Sequence, residues 1–71
     1  MTNPFKDAVA YASGGGYLIS KQGVIVGELN RLENDDYTMG DWALSDVDGN
    51  IQVTDQYRND IAELYEFTFR R

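Results

Sequence analysis

The sequence predicts a small α+β fold: an antiparallel sheet of about four strands, made of two hairpins, with a short N-terminal helix and a C-terminal helix. Three observations support this prediction. Apolar residues recur at helical spacing near both ends, strand-forming segments separated by short turns occupy the middle, and 42% hydrophobic residues with a single Pro are typical of a folded chain. Because 71 residues are too few for two cores, we expect residues 1–71 to form a single domain.

The N-terminal helix is predicted from a cap followed by an apolar stripe. Asn3 and Pro4 suit a helix N-cap and first helical position, since Pro lacks a donor that would be unpaired there. Apolar residues then follow at i, i+3, i+4 and i+7, namely Phe5, Ala8, Val9 and Ala12. We interpret Gly14–Gly16 as the helix end and a connector, because a phosphate-binding loop needs a strand before it and a helix after it.

The first hairpin is predicted from Tyr17 onward. Tyr17–Lys21 and Val24–Val26 are rich in strand-forming residues and flank a turn at Gln22–Gly23. Gly27 interrupts the second strand, and the apolar residues beyond it do not share one parity. We therefore expect a bulge or bend near Gly27.

The second hairpin pairs Trp42–Ser45 with Ile51–Thr54 through a turn at Asp48–Asn50. Apolar residues alternate with period two in both strands, which places Trp42 in the core. The same turn resembles the opening of a calcium loop, but Ile51 stands where that loop needs Gly and Tyr57 where it needs Glu. A hairpin turn explains these residues better than a calcium site does.

The C-terminal segment carries two patterns in succession. Helical spacing predicts a helix from about Gln56 to Glu66, with Thr54 or Asp55 as its cap. Phe67–Phe69 then alternates like a strand, and we expect it to form an extended tail that packs against the sheet.

Composition excludes several function classes. The chain has no His and no Cys, so Ser/His catalysis, disulfides and thiolate metal sites are absent, and the remaining residues show no nucleophile beside a base. We expect no enzyme activity and no cofactor. Neither a signal peptide nor a membrane span is recognisable, so the sequence favours a soluble protein of the cytoplasm, or of the host cytoplasm if the protein is viral.

The acidic residues are concentrated in the middle of the sequence. Ten of the twelve lie between Glu28 and Glu63, where only Arg31 and Arg58 oppose them, so this stretch has a net charge of −8. Aromatic residues are interleaved with the carboxylates, as is typical of surfaces that meet a protein partner. The predicted partner-binding residues are Glu33, Asp35, Asp36, Tyr37, Asp41, Asp46 and Asp48.

This charge pattern predicts a partner with a basic surface and opposes direct binding to nucleic acid or to anionic membranes. One hypothesis is an inhibitor that occupies a nucleic-acid-binding surface, such as a phage-encoded inhibitor of a restriction, CRISPR or transcription complex. A second hypothesis is a structural module that forms a homo-oligomer or joins a larger complex through strand edges and aromatic side chains. A divalent-cation binder is a third possibility.

Overall fold

Six β-strands and one α-helix make up the part of the chain that this computed structural model describes, residues 3–33 and 39–70. In chain order they are β1 Val9–Ser13, β2 Gly16–Lys21, β3 Val24–Glu33, β4 Met39–Asp46, β5 Ile51–Asp55, α1 Arg58–Tyr65 and β6 Thr68–Phe69. No helix in the described ranges combines the length and the apolar character needed to cross a bilayer.

All six strands belong to one sheet, in the order β5-β4-β3-β2-β1-β6. Strands β1 to β5 form an antiparallel meander, whereas β6 pairs with β1 in parallel. The sheet curls into a half-barrel, and α1 leads from β5 at one edge to β6 at the other. The predicted α+β domain with four strands and an N-terminal helix is therefore wrong: the molecule is mainly a mixed six-stranded sheet with a single short helix.

The predicted N-terminal helix is replaced by a turn and a strand. The Asn3 side-chain oxygen accepts the Phe5 N–H at 3.0 Å, and the Phe5 carbonyl accepts the Ala8 N–H at 3.0 Å. Asp7 then adopts a φ of 63°, which ends any helical path before the first strand begins. The apolar stripe misled the prediction because the buried residue of β1 is the small Ala10, while the larger Tyr11 points outward.

Gly14 and Gly15 form a two-residue hairpin turn instead of the predicted helix end. Ser13 pairs with Gly16, and the two residues between them have φ values of 56° and 86°. A tight hairpin with positive φ at both central positions is the geometry that paired glycines favour. Gly14 and Gly15 therefore allow β1 and β2 to pair as a tight hairpin.

The first predicted hairpin is confirmed, including its irregularity. Strands β2 and β3 are antiparallel about Gln22 and Gly23, and their register shifts so that Val26 is an extra residue beside Gly27. A β-carbon on Gly27 would come within 2.6 Å of Cε1 of Phe5. Because Gly27 has no side chain, the ring of Phe5 in the N-terminal turn packs directly against the sheet.

The second hairpin and the C-terminal segment are also confirmed. Strands β4 and β5 are antiparallel, and Phe67–Phe69 leads into β6, which adds to the sheet beside β1. The helix begins two residues later and ends one residue earlier than predicted. The predicted cap is wrong: the N-cap residue is Tyr57 and no side chain caps the helix, although Asp55 accepts the Tyr57 N–H at 2.9 Å just before it.

The core lies on the concave face of the sheet and is closed by the N-terminal turn and α1. Among the described residues no polar or charged side chain is buried. Trp42 is 8% exposed, as its predicted core position requires. The buried apolar residues are Phe5, Ala8, Ala10, Ile19, Leu29, Trp42, Ala43, Leu44, Ile61, Ala62 and Phe67.

Candidate binding site

Three aromatic rings from three different strands meet at one end of the concave face. Tyr17 of β2 lies 5.9 Å from Trp42 of β4 and 4.9 Å from Phe69 of β6, measured between ring centroids. Side chains alternate along each strand, so Tyr17 shares the face of Ile19 and Trp42 that of Leu44. We call Tyr17, Trp42 and Phe69 the aromatic cage.

The guanidinium group of Arg58 occupies the aromatic cage. Its central carbon lies 5.7 Å from the ring centroid of Phe69, 5.8 Å from that of Trp42 and 5.9 Å from that of Tyr17. All three distances fall within the range of about 6 Å in which the negative face of a ring attracts a cation. Arg58 is the first residue of α1 and is itself exposed.

A second cation lies against the same indole ring. Arg31 pairs with Trp42 across β3 and β4, and its guanidinium carbon is 5.4 Å from the Trp42 centroid. Both arginines of the acidic stretch therefore stack on one tryptophan. The third described arginine, Arg70, lies 5.4 Å from the ring of Tyr11.

Ring-to-ring contacts connect the cage to the core. Phe69 packs edge-on against Phe67 at 5.8 Å, Phe67 lies 6.4 Å from Phe5, and Phe5 meets Tyr65 edge-on at 5.7 Å. Such contacts add about 0.5 to 1.5 kcal/mol per pair beyond the burial of area. The cage rings are therefore fixed by packing that does not depend on Arg58.

A cleft of about 340 Å³ opens beside two of the cage rings. The turn between β1 and β2 forms one wall, and Tyr17 and Trp42 form the other. The cleft is lined by Ala12, Ser13, Gly14, Gly15, Gly16, Tyr17 and Trp42. Gly14, Gly15 and Gly16 contribute only backbone to this wall, so its side chains are the small ones of Ala12 and Ser13.

A carboxylate borders the cage at the sheet edge. Asp55 of β5 pairs with Trp42 and is partly exposed. One of its oxygens accepts the Tyr57 N–H at 2.9 Å, next to Arg58 in the sequence. The cage thus combines aromatic faces with a neighbouring negative charge.

Among the described residues, the predicted acidic side chains do not form one compact cluster. Asp41 is exposed in β4, and strand alternation turns its side chain to the face opposite Trp42. Asp46 ends the same strand five residues later, and Asp48 lies in the following turn. At about 3.3 Å per residue, the backbones of Asp41 and Asp46 are roughly 17 Å apart, more than the Debye length of about 10 Å in moderate salt.

Asp46 organises its turn. One oxygen accepts the N–H groups of Asp48 and Asn50, both at 2.9 Å, and the other accepts the side-chain amides of Asn50 at 3.4 Å and Gln52 at 3.3 Å. The hydrogen bond from the Asn50 backbone is the main reason that the pKa of Asp46 lies below its ordinary value of 3.8. Its carboxylate is engaged within the hairpin, whereas that of Asp48 is exposed.

Three of the predicted site residues, Asp35, Asp36 and Tyr37, lie outside the described residues. Glu33 ends β3, and only its backbone is described. Within the described ranges no group of three or more Asp or Glu side chains is arranged to hold a metal ion. The site residues that can be placed are thus Asp41 at one end of β4 and Asp46 with Asp48 at the other.

The sequence analysis missed Tyr17, Phe69, Arg31 and Arg58 as candidate site residues. A signal for the two arginines was present, since they are the only cations within the acidic stretch. No local pattern indicates that both reach Trp42, because that contact depends on how β3, β4 and α1 are placed by the sheet.

No family model, no curated protein and no solved structure matches this chain. The function is therefore argued from the residues and their geometry.

Proposed function

We propose that this chain is a small acidic protein-binding module that occupies a basic surface of a partner protein. The observation that carries the proposal is the excess of exposed carboxylates over exposed cations. Every carboxylate whose side chain is described is at least partly exposed, and the three described arginines, which are also exposed, lie over aromatic rings. With a formal net charge of −6, the outward field is negative and attracts a positively charged partner.

The partner class that fits this field is a protein whose groove normally holds nucleic acid, because carboxylates can take the place of phosphates there. An inhibitor of a restriction, CRISPR or transcription complex, encoded by a phage and acting in the host cytoplasm, has this chemistry. Asp41 near one end of β4 and Asp48 in the turn after its other end are exposed, and we take them as two separate acidic contact points.

Charge reversal at each end of β4 tests this proposal. The partner is captured from a lysate of the host cells, and its association rate is measured with Asp41→Lys and with Asp48→Lys over a range of salt concentrations. We expect each variant to associate about tenfold more slowly in low salt, because the attraction that steers the encounter is reduced. We also expect the wild-type rate to fall as salt rises.

Glu63→Lys is the matched control, since it makes the same change in net charge on the exposed side of α1. If all three variants slow association equally, net charge alone acts and the β4 contact points are refuted. If binding does not respond to salt at all, the acidic binding module itself is refuted.

A second candidate function, self-association, is favoured by the outward face of the sheet. Tyr11, Leu18, Glu28, Ser45 and Ile51 pair in one row across five strands and point away from the core. Ile51 is 55% exposed and lies on the edge strand β5, where unpaired backbone groups can add another strand. Light scattering during size exclusion separates the two functions: a dimer that Ile51→Lys dissociates supports self-association, and a monomer at all concentrations excludes it.

A further inference from the structure

We infer that the aromatic cage is a receptor for one cationic side chain of the partner, and that Arg58 occupies it in the unbound protein. This inference rests on the proposed function, because the basic surface of the partner supplies the side chain. The geometry already shows what the cage accepts: a guanidinium group within 6 Å of three ring centroids.

The position of Arg58 makes it an exchangeable occupant. It is the first residue of α1, and the N-terminal end of a helix carries a partial positive charge that disfavours a cation. Its contacts with the three rings therefore hold it in place, against the preference of the helix. Because Arg58 is exposed, a competing cation can reach the rings from solvent.

The cage persists when Arg58 leaves. Its rings are carried by β2, β4 and β6. The Phe69 ring contacts those of Tyr17 and Phe67, and Phe67 in turn contacts Phe5 in the core. Arg58 belongs to none of these strands. Displacing it thus opens a formed site, and the cleft beside Tyr17 and Trp42 gives an incoming side chain room to approach.

The charges around the cage select a cation and limit it to one. Asp55, which pairs with Trp42, attracts a positive group. Arg31 remains on Trp42 and repels a further cation, so the partner side chain must replace Arg58 and cannot bind in addition to it. A planar guanidinium that stacks on rings suits the site better than the compact ammonium group of lysine.

Removing the internal occupant tests the inference. The probe is ethylguanidinium, and binding is followed by fluorescence and NMR signals of Trp42, the only tryptophan. We expect Arg58→Gln to bind the probe at least about tenfold more tightly than the wild type does, because a site occupied by Arg58 for about nine-tenths of the time loses about that factor in apparent affinity.

Three controls make the result specific. Arg70→Gln removes the same charge from the ring of Tyr11, outside the cage, and should bind the probe as weakly as the wild type. Ethylurea, a neutral planar analogue, should not bind to Arg58→Gln. Adding Phe69→Leu to Arg58→Gln removes one wall of the cage and should abolish the gain, with circular dichroism showing that the double variant is folded.

The inference is overturned if folded Arg58→Gln binds ethylguanidinium no better than wild type, or if Arg70→Gln gains equally. It is also overturned if ethylurea binds as well as the cation does. Because this experiment uses no partner, its outcome is independent of the salt-dependent binding that tests the proposed function.

Discussion

At the scale of single residues, Trp42 has two roles: it belongs to the core, and its ring contacts cations. It is almost fully buried, yet two arginines lie against its ring and it forms part of one wall of the cleft. A large ring can do this because its body packs into the core while its face remains open to a cation. A change at Trp42 is therefore expected to alter stability together with the proposed cation binding, whereas Arg58 is exposed and lies outside the core cluster.

Asp46 gives a prediction for acidic pH. Because its pKa is lowered in the folded state, its contribution to stability is fully present above the ordinary value of 3.8 and is lost as the pH falls below it. We expect Asp46→Asn to lower the urea midpoint at neutral pH, and the difference from the wild type to shrink as the pH falls from about 5 to about 2, where the Asp46 carboxyl becomes protonated.

Asp48→Asn is the control for that measurement. It removes the same charge from the same turn, but only the backbone N–H of Asp48 takes part in the hydrogen bonds of the turn. Equal losses of stability in the two variants would show that the turn does not depend on the Asp46 carboxylate.

At the scale of elements, the two-residue turns decide how the strands pair. Gln22 has a φ of 53° and Gly23 a φ of 80°, the combination that is also found at Gly14 and Gly15. Glutamine is strained in this left-handed region, which glycine and asparagine tolerate better. The turn between β2 and β3 therefore carries a residue that the geometry does not prefer.

Gln22→Asn should stabilise the protein by about 0.5 to 1 kcal/mol, because Asn-Gly is the preferred pair for such a turn. Chemical denaturation measures the change. Gln56→Asn makes the same substitution at an exposed position outside any hairpin turn and should change stability by less than about 0.5 kcal/mol. If Gln22→Asn destabilises the protein, the turn geometry described above is wrong.

The sequence predicted a strand or helix correctly wherever one local pattern of residues was clear. Alternation and turn residues predicted both central hairpins, and helical spacing followed by alternation predicted α1 and the extended tail. The N-terminal segment failed because Ala10 has too little side chain to mark the buried face of β1. The cage could not be predicted, since it joins Tyr17, Trp42 and Phe69 across long distances in sequence.

At the scale of the whole molecule, the excess of negative charge opposes the compact folding of so short a chain. A net charge of −6 is spread over a chain of 71 residues, and mutual repulsion among surface carboxylates disfavours the compact state. Placing arginines on aromatic rings keeps some positive charge close to the core. The remaining repulsion should be visible in the salt dependence of stability.

We expect the melting temperature to rise by about 2 to 4 °C when sodium chloride is increased from about 0.01 M to about 0.15 M, because salt screens the repulsion. The double variant Asp41→Asn and Asp48→Asn removes two of the six net negative charges and should show a smaller rise. A melting temperature that is flat or falls with salt would show that repulsion does not limit stability.

The placement of β6 has a consequence for shortened chains. Phe69 lies in β6, far in sequence from the other two rings of the cage. A chain cut short before β6 keeps Tyr17 and Trp42 but lacks both the third ring and the strand that pairs with β1. Such a fragment should therefore lose the three-ring contact of Arg58 even where the meander β1 to β5 forms.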